Sequence, residues 1–214
     1  MKRLVVTMFA IVLMFTLCSS SIFAGGLTGY GLKGGLNFAN LHGDDVEDLG
    51  LGDLDSKMGL CLGGFVTYSI SDMFAIQPEV LFTMKGAKKE VEVQGETLKV
   101  TGSLNYLEIP VLAKLSIPGQ GSFVPNLFIG PYLAIKLSGK WKVEYAGASA
   151  ETDIEDLKGT DFGVVCGAGV DLALGSSKVT VDARYTLGLT TIDASEWEAD
   201  IKNGVFSLMV GYSL

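Results

Sequence analysis

Beyond an apolar opening segment, apolar residues alternate with small or polar ones in eight stretches, and the intervals between stretches run long, short, long, short. A period of two marks a β-strand with unlike faces, because successive side chains leave opposite sides of the backbone. The spacing predicts strands at roughly 28–41, 58–70, 73–86, 103–117, 126–140, 161–174, 178–190 and 204–214. Long gaps fall at 42–57, 87–102, 141–160 and 191–203, and short ones at Ser71-Asp72, Gly119 to Pro125 and Gly175 to Ser177. The pattern describes an all-β chain: an eight-stranded antiparallel up-and-down transmembrane β-barrel, with short periplasmic turns and long extracellular loops. Both termini then fall at the periplasmic end.

Parity sorts the side chains. One face carries Tyr30, Leu32, Leu36 and Phe38, then Leu60, Leu62, Val66 and Tyr68, then Phe74, Ile76, Val80 and Phe82, and continues in the same way to Tyr212 without a single charge. The other face holds Lys33, Asn37, Gln77, Glu79, Glu108, Lys114, Lys136, Asp161, Asp171, Asp182 and Arg184 among glycines. A secreted lipocalin-type barrel would turn the apolar face inward around a ligand. Volume argues against that arrangement, since the bore of an eight-stranded barrel is barely filled by side chains and cannot hold so many large apolar groups. The apolar face therefore points to lipid, where an Arg or Lys near the midplane would cost about 2–4 kcal/mol. Tyr30, Tyr68, Phe74 and Tyr212 fall near the inner strand ends and Phe38, Phe82, Phe162 and Phe206 near the outer ends, which places two aromatic girdles at the membrane interfaces.

The opening segment has the form of a secretory leader, with basic Lys2 and Arg3, an apolar run over 4–17, and Ser19 to Ser21 leading to Ala24. Cleavage after Ala24 leaves 25–214 as one outer-membrane barrel domain, exported through the Sec pathway. The apolar run is short of the roughly 20 residues that a spanning helix needs. Cys18 suggests lipidation, but bulky Leu17 precedes it where a small residue is expected. Losing Lys2 and Arg3 leaves 14 basic against 24 acidic residues, a net of −10, which speaks against nucleic acid as a partner.

Several short motifs then stand in order: Gly31-Leu32-Lys33-Gly34-Gly35-Leu36-Asn37, Gln77-Pro78-Glu79, Tyr106-Leu107-Glu108-Ile109-Pro110, Gly130-Pro131-Tyr132, Asp161 to Gly169, and Arg184-Tyr185 with Gly188-Leu189. Together they resemble the PorT-like outer-membrane β-barrel domain family across nearly all of 28–214. The resemblance implies an outer-membrane barrel of a Bacteroidetes-type lineage. It implies no catalytic residues, and a link to protein secretion for some members only. The chain departs from the pattern at its end, where Tyr212-Ser213-Leu214 stands in place of a closing Phe. Pro78, Pro110 and Pro131 each remove a ladder donor, so bulges or bends are expected at them.

Lys33, Glu79, Glu108, Asp182 and Arg184 all lie four to eight residues above the periplasmic strand ends. Buried charges persist when paired, so the expected arrangement sets Glu79 and Glu108 around Arg184, with Lys33 and Asp182 completing the set. Such a network plugs the bore; a proton or ion path is the alternative. The loops are acidic, with Asp44, Asp45, Glu47 and Asp48 in the first, and solvation explains them. Those four are also the candidates for a divalent cation bridging to lipopolysaccharide, although no Gly-centred calcium loop is present. Trp141 and Trp197, at the loop bases, are expected to anchor the upper interface. His42 stands beside Asp44 without a motif marking a serine, so a hydrolytic site is not expected there. Cys61 and Cys166 have opposite parity on strands that are not neighbours, and no disulfide is expected. The reading is a non-catalytic structural or surface-interaction barrel, with outer-membrane lipid and lipopolysaccharide around it, no cofactor, and a protein partner that the loops would select.

Overall fold

The computed structural model describes residues 26–43, 54–93, 95–117, 122–195 and 199–214. It contains strands β1 (Gly26–His42), β2 (Asp55–Ser69), β3 (Phe74–Val93), β4 (Glu96–Ser116), β5 (Phe123–Tyr145), β6 (Ala148–Asp153), β7 (Thr160–Leu174), β8 (Ser177–Gly188) and β9 (Lys202–Ser213). Each pairs antiparallel with its neighbours, and the β4–β5 and β1–β9 ladders close eight of them into a ring. β6 stands outside the ring and, among the described residues, pairs with the far end of β5 alone. Closure leaves the ring itself no free edge, so every ring strand has ladder partners on both sides, as a spanning sheet requires. At the seam the Tyr30 amide donates to the Leu214 carbonyl at 3.2 Å, and the Leu214 amide donates back at 3.0 Å.

The alternation read from the sequence is the alternation of burial. Leu32, Leu62, Ile129 and Val210 are exposed on the outside, while Lys33, Glu79, Lys114 and Arg184 are almost wholly buried within. Large side chains fit the narrow bore because β7 presents glycines opposite the aromatic residues of β5. Phe128 pairs with Gly167 and Tyr132 with Gly163. A Cβ on Gly167 would fall 2.6 Å from the Phe128 ring, and one on Gly163 would fall 2.7 Å from the ring of Tyr132.

Two of the gaps expected to be loops contain long stretches of strand. The β3–β4 ladder runs on to Val93 opposite Glu96, which turns the predicted gap 87–102 into a hairpin extension. Within 141–160, β5 continues to Tyr145 and returns as β6 through a turn in which Ala146 and Gly147 have φ of 47° and 81°. Positive φ at both central residues is the tight hairpin turn whose twist suits antiparallel strands. Both hairpins project from the end of the barrel opposite the termini, called the loop end below.

Of the bulges or bends expected at the prolines, no bulge forms. Pro78 faces Val111, Pro110 faces Tyr132 and Pro131 faces Val164 with no change of register. Ladder pairing simply lapses beside them, because Pro removes a donor without adding a residue. The register shift on β5 lies elsewhere. Asn105 faces Ser138 while Tyr106 faces Lys136, leaving Leu137 as the extra residue. One extra residue inverts parity beyond it, so Trp141, expected at the membrane interface, lines the interior of the loop end.

Candidate functional site

The bore is filled from bottom to top by three groups of charged side chains. Nearest the turns, Lys114 Nζ on β4 donates to both carboxylate oxygens of Asp171 on β7 at 3.0 Å. Asn126 and Thr180 donate to the same carboxylate, and Lys178 reaches it from the rim at 3.7 Å. Above it, Lys33 on β1 donates to Glu79 at 2.7 Å and to Asp182 at 2.8 Å. Arg184 spans the same two carboxylates, at 2.7 and 3.3 Å to Glu79 and 2.9 Å to Asp182. Gln77 adds a bond to Glu79 at 2.8 Å. Strand parity aims these groups inward, and antiparallel register brings residues from β1, β3 and β8 to one height.

Glu108 is not part of that set. Its carboxylate lies 2.7 Å from Lys85 Nζ in a third group nearer the loop end, where Lys85 also reaches Asp161 at 3.4 Å. Tyr132 Oη and Asn203 Nδ2 donate to the same Asp161 oxygen at 3.1 and 3.0 Å. The expected placement of Glu108 beside Arg184 counted height from strand ends, whereas the tilt and register of β3 and β4 set it opposite Leu81 and near Lys85. Lys85 escaped the sequence reading because it precedes Gly86-Ala87-Lys88-Lys89, a polar run resembling the start of a loop. Its odd position on β3, shared with Gln77 and Glu79, was the available signal.

Aromatic faces cover the cations. Lys33 lies 4.8 Å from the Phe65 ring centre, Lys85 4.6 Å from that of Tyr132, and the Arg184 guanidinium 5.1 Å from that of Phe128. Such contacts strengthen where water is excluded. Among the described residues, four buried cations thus share the bore with five buried carboxylates, and half-exposed Lys178 supplies a fifth positive charge at the mouth.

The eight aromatic residues singled out as girdles all lie on the outer face. Tyr30, Phe74, Tyr212, Phe82, Phe162 and Phe206 are exposed, and Tyr68 and Phe38 are half-buried. Phe38 and Phe206 pack together across the β1–β9 seam with ring centres 6.4 Å apart. Asp44, Asp45, Glu47, Asp48, Trp197 and the leader 1–24 lie outside the described residues. His42 ends β1 near Gly204. Cys61 is buried in the bore, Cys166 faces outward, and both thiols are free.

Residues 23–194 match the family described as outer membrane protein beta-barrel domain. No curated protein sequence matches the chain. Among solved structures, Ail, the attachment invasion locus protein of Yersinia pestis, is 16% identical over 88% of this chain and 99% of that one, with a TM-score of 0.45. Neisserial surface protein A is 15% identical over 88% and 97% of the two chains at a TM-score of 0.45. The outer membrane protein OprG from Pseudomonas aeruginosa is 13% identical over 88% and 95%, at a TM-score of 0.47.

Proposed function

Given that this chain belongs to the outer membrane protein β-barrel domain family, and so sits in the bacterial outer membrane, we propose that it serves there as a non-catalytic structural or surface-interaction protein with a closed lumen. The observation that carries this reading is the Glu79 carboxylate, bonded at once to Lys33 on β1 and, across the bore, to Arg184 on β8. An ion would have to displace charges that are already paired and buried, and breaking such a pair by losing one partner costs about 3–5 kcal/mol. What remains to act on the outside world is the loop end, with its two hairpins and its acidic connections.

The finer family assignment, PorT-like, is supported by the ordered motifs from Gly31-Leu32-Lys33 to Gly188-Leu189. Cleavage after Ala24 is supported by the basic start and the short apolar run. The girdle role of the outward tyrosines and phenylalanines is supported by their gathering near the two ends of the strands.

Planar bilayers separate this reading from a pore. The mature chain is expected to insert without conductance steps, and Glu79→Ala with Arg184→Ala is expected to produce them. Steady conductance from the unaltered chain would establish the pore instead. Capture from intact outer membranes, with the β5–β6 hairpin removed in a parallel sample, is expected to identify a partner that the shortened barrel loses.

A further inference from the structure

We propose that the loop end holds a binding site for one small, uncharged, apolar molecule from the external medium. Above the third charged group lies a cavity of about 460 Å³, within the roughly 300–1,000 Å³ typical of small-molecule pockets. Its walls include Leu98, Val100, Trp141, Ile154, Ile192 and Ile201. Leu104 and Ile192 join it to the packed cluster that contains Tyr106 and Tyr132, so the floor is closed.

Three features of this chain make the pocket. The β3–β4 hairpin carries the inward parity of Leu104 on to Val100 and Leu98, beyond the point where the strands were expected to end. The bulge at Leu137 rotates the end of β5, so that Trp141 faces inward and its ring lies across Gly102, its ladder partner. A Cβ at Gly102 would stand 2.8 Å from that ring. The segment between β6 and β7 supplies Ile154 and Leu157 as a third wall.

The chemistry of the occupant follows from what the walls offer. Water in a cavity needs two to four polar partners, and apolar cavities of this kind accept apolar molecules readily. An ionic ligand would be buried against aliphatic groups, at a cost that pairing would have to offset. The charged groups that line the cavity, Lys88, Lys89, Asp156 and Asp193, are of both signs; Lys88 is paired with Glu90 at 3.3 Å, and the Asp193 carboxylate is taken up by Ser195 and the Ala199 amide. A neutral molecule with one or two rings suits both the volume and the indole face. The site lies above the charged plug, and its occupancy does not depend on whether the lumen conducts.

The test is a titration of the mature barrel in lipid nanodiscs with naphthalene, read from methyl resonances. Shifts at Val100, Ile154 and Ile192 are expected to saturate at one equivalent, while lipid-facing Leu133 and Val181 respond linearly as naphthalene partitions into the bilayer. Val100→Trp fills the cavity and is expected to weaken the saturable phase at least tenfold; Leu98→Trp serves if the first variant does not fold. Linear response at every methyl, or saturation unchanged by filling, would overturn the proposal. So would tighter binding of naphthalene-2-sulfonate than of naphthalene, because it would show that the pocket takes anions.

Discussion

Ala146 holds a left-handed backbone at φ 47° beside Gly147 at 81°. An L-residue with a Cβ pays about 1–2 kcal/mol for that conformation, which glycine avoids. Ala146→Gly is therefore expected to steady the β5–β6 hairpin by about 1 kcal/mol, seen as slower amide exchange at Val143 and Tyr145, opposite Ala150 and Ala148, with the ring unchanged. Glu79 stands at the opposite extreme of burial. Glu79→Leu leaves Lys33 and Arg184 facing only Asp182, and is expected to lower unfolding stability in lipid by about 3–5 kcal/mol, measured by urea titration. Most of the middle charged group was legible residue by residue, since Lys33, Glu79, Asp182 and Arg184 break an otherwise apolar-or-small alternation. The pairing of Glu108 was not, because parity says which face a residue occupies and is silent on its height in a tilted barrel.

Among elements, the β3–β4 hairpin has a signal in the sequence. Val91, Val93, Leu98 and Val100 alternate with charged or polar residues around Gln94-Gly95, the signature of strand, turn and strand. The charged residues among them, Lys88, Lys89, Glu90, Glu92, Glu96 and Lys99, mask that alternation. Above the membrane the alternation keeps its period and reverses its meaning: the outer face meets water and the inner face is apolar. Thr191 and Asp193 tie the described part of the loop between β8 and β9, Thr191 through its hydroxyl to the Ala199 carbonyl at 2.6 Å. Asp193 accepts from Ser195 Oγ at 2.6 Å and from the amides of Ser195 and Ala199 at 3.1 and 2.8 Å. Burial raises its carboxyl, but these hydrogen bonds outweigh burial and hold it below the usual carboxylate range. A group depressed on folding contributes fully above its unfolded pKa and loses that contribution as pH falls through the lowered one. Protection of the Ser195 and Ala199 amides relative to their intrinsic exchange rates is expected to fall at that acid limit, and Asp193→Asn is expected to remove the fall.

At the scale of the whole molecule, the barrel is inverted relative to a water-soluble protein, with ionic groups within and aliphatic groups without. That inversion makes a firm prediction for the outer face. Ile129→Arg, set among exposed Leu127 and Leu133 on β5, is expected to cost about 2–4 kcal/mol in a bilayer, while Lys136→Arg, whose amine reaches the Leu157 carbonyl at 2.8 Å, is expected to cost far less. Folding titrations into vesicles measure both.

Period-two alternation, read along the chain by itself, determined the all-β class, the eight ring strands, their antiparallel order and which side chains meet lipid, because each of these depends on local parity and on the spacing of turns. Tertiary structure alone decided the partner of Glu108, the inward turn of Trp141 beyond the bulge, and the apolar cavity under the hairpins. Those depend on register, tilt and one inserted residue, which bring together positions far apart in the chain.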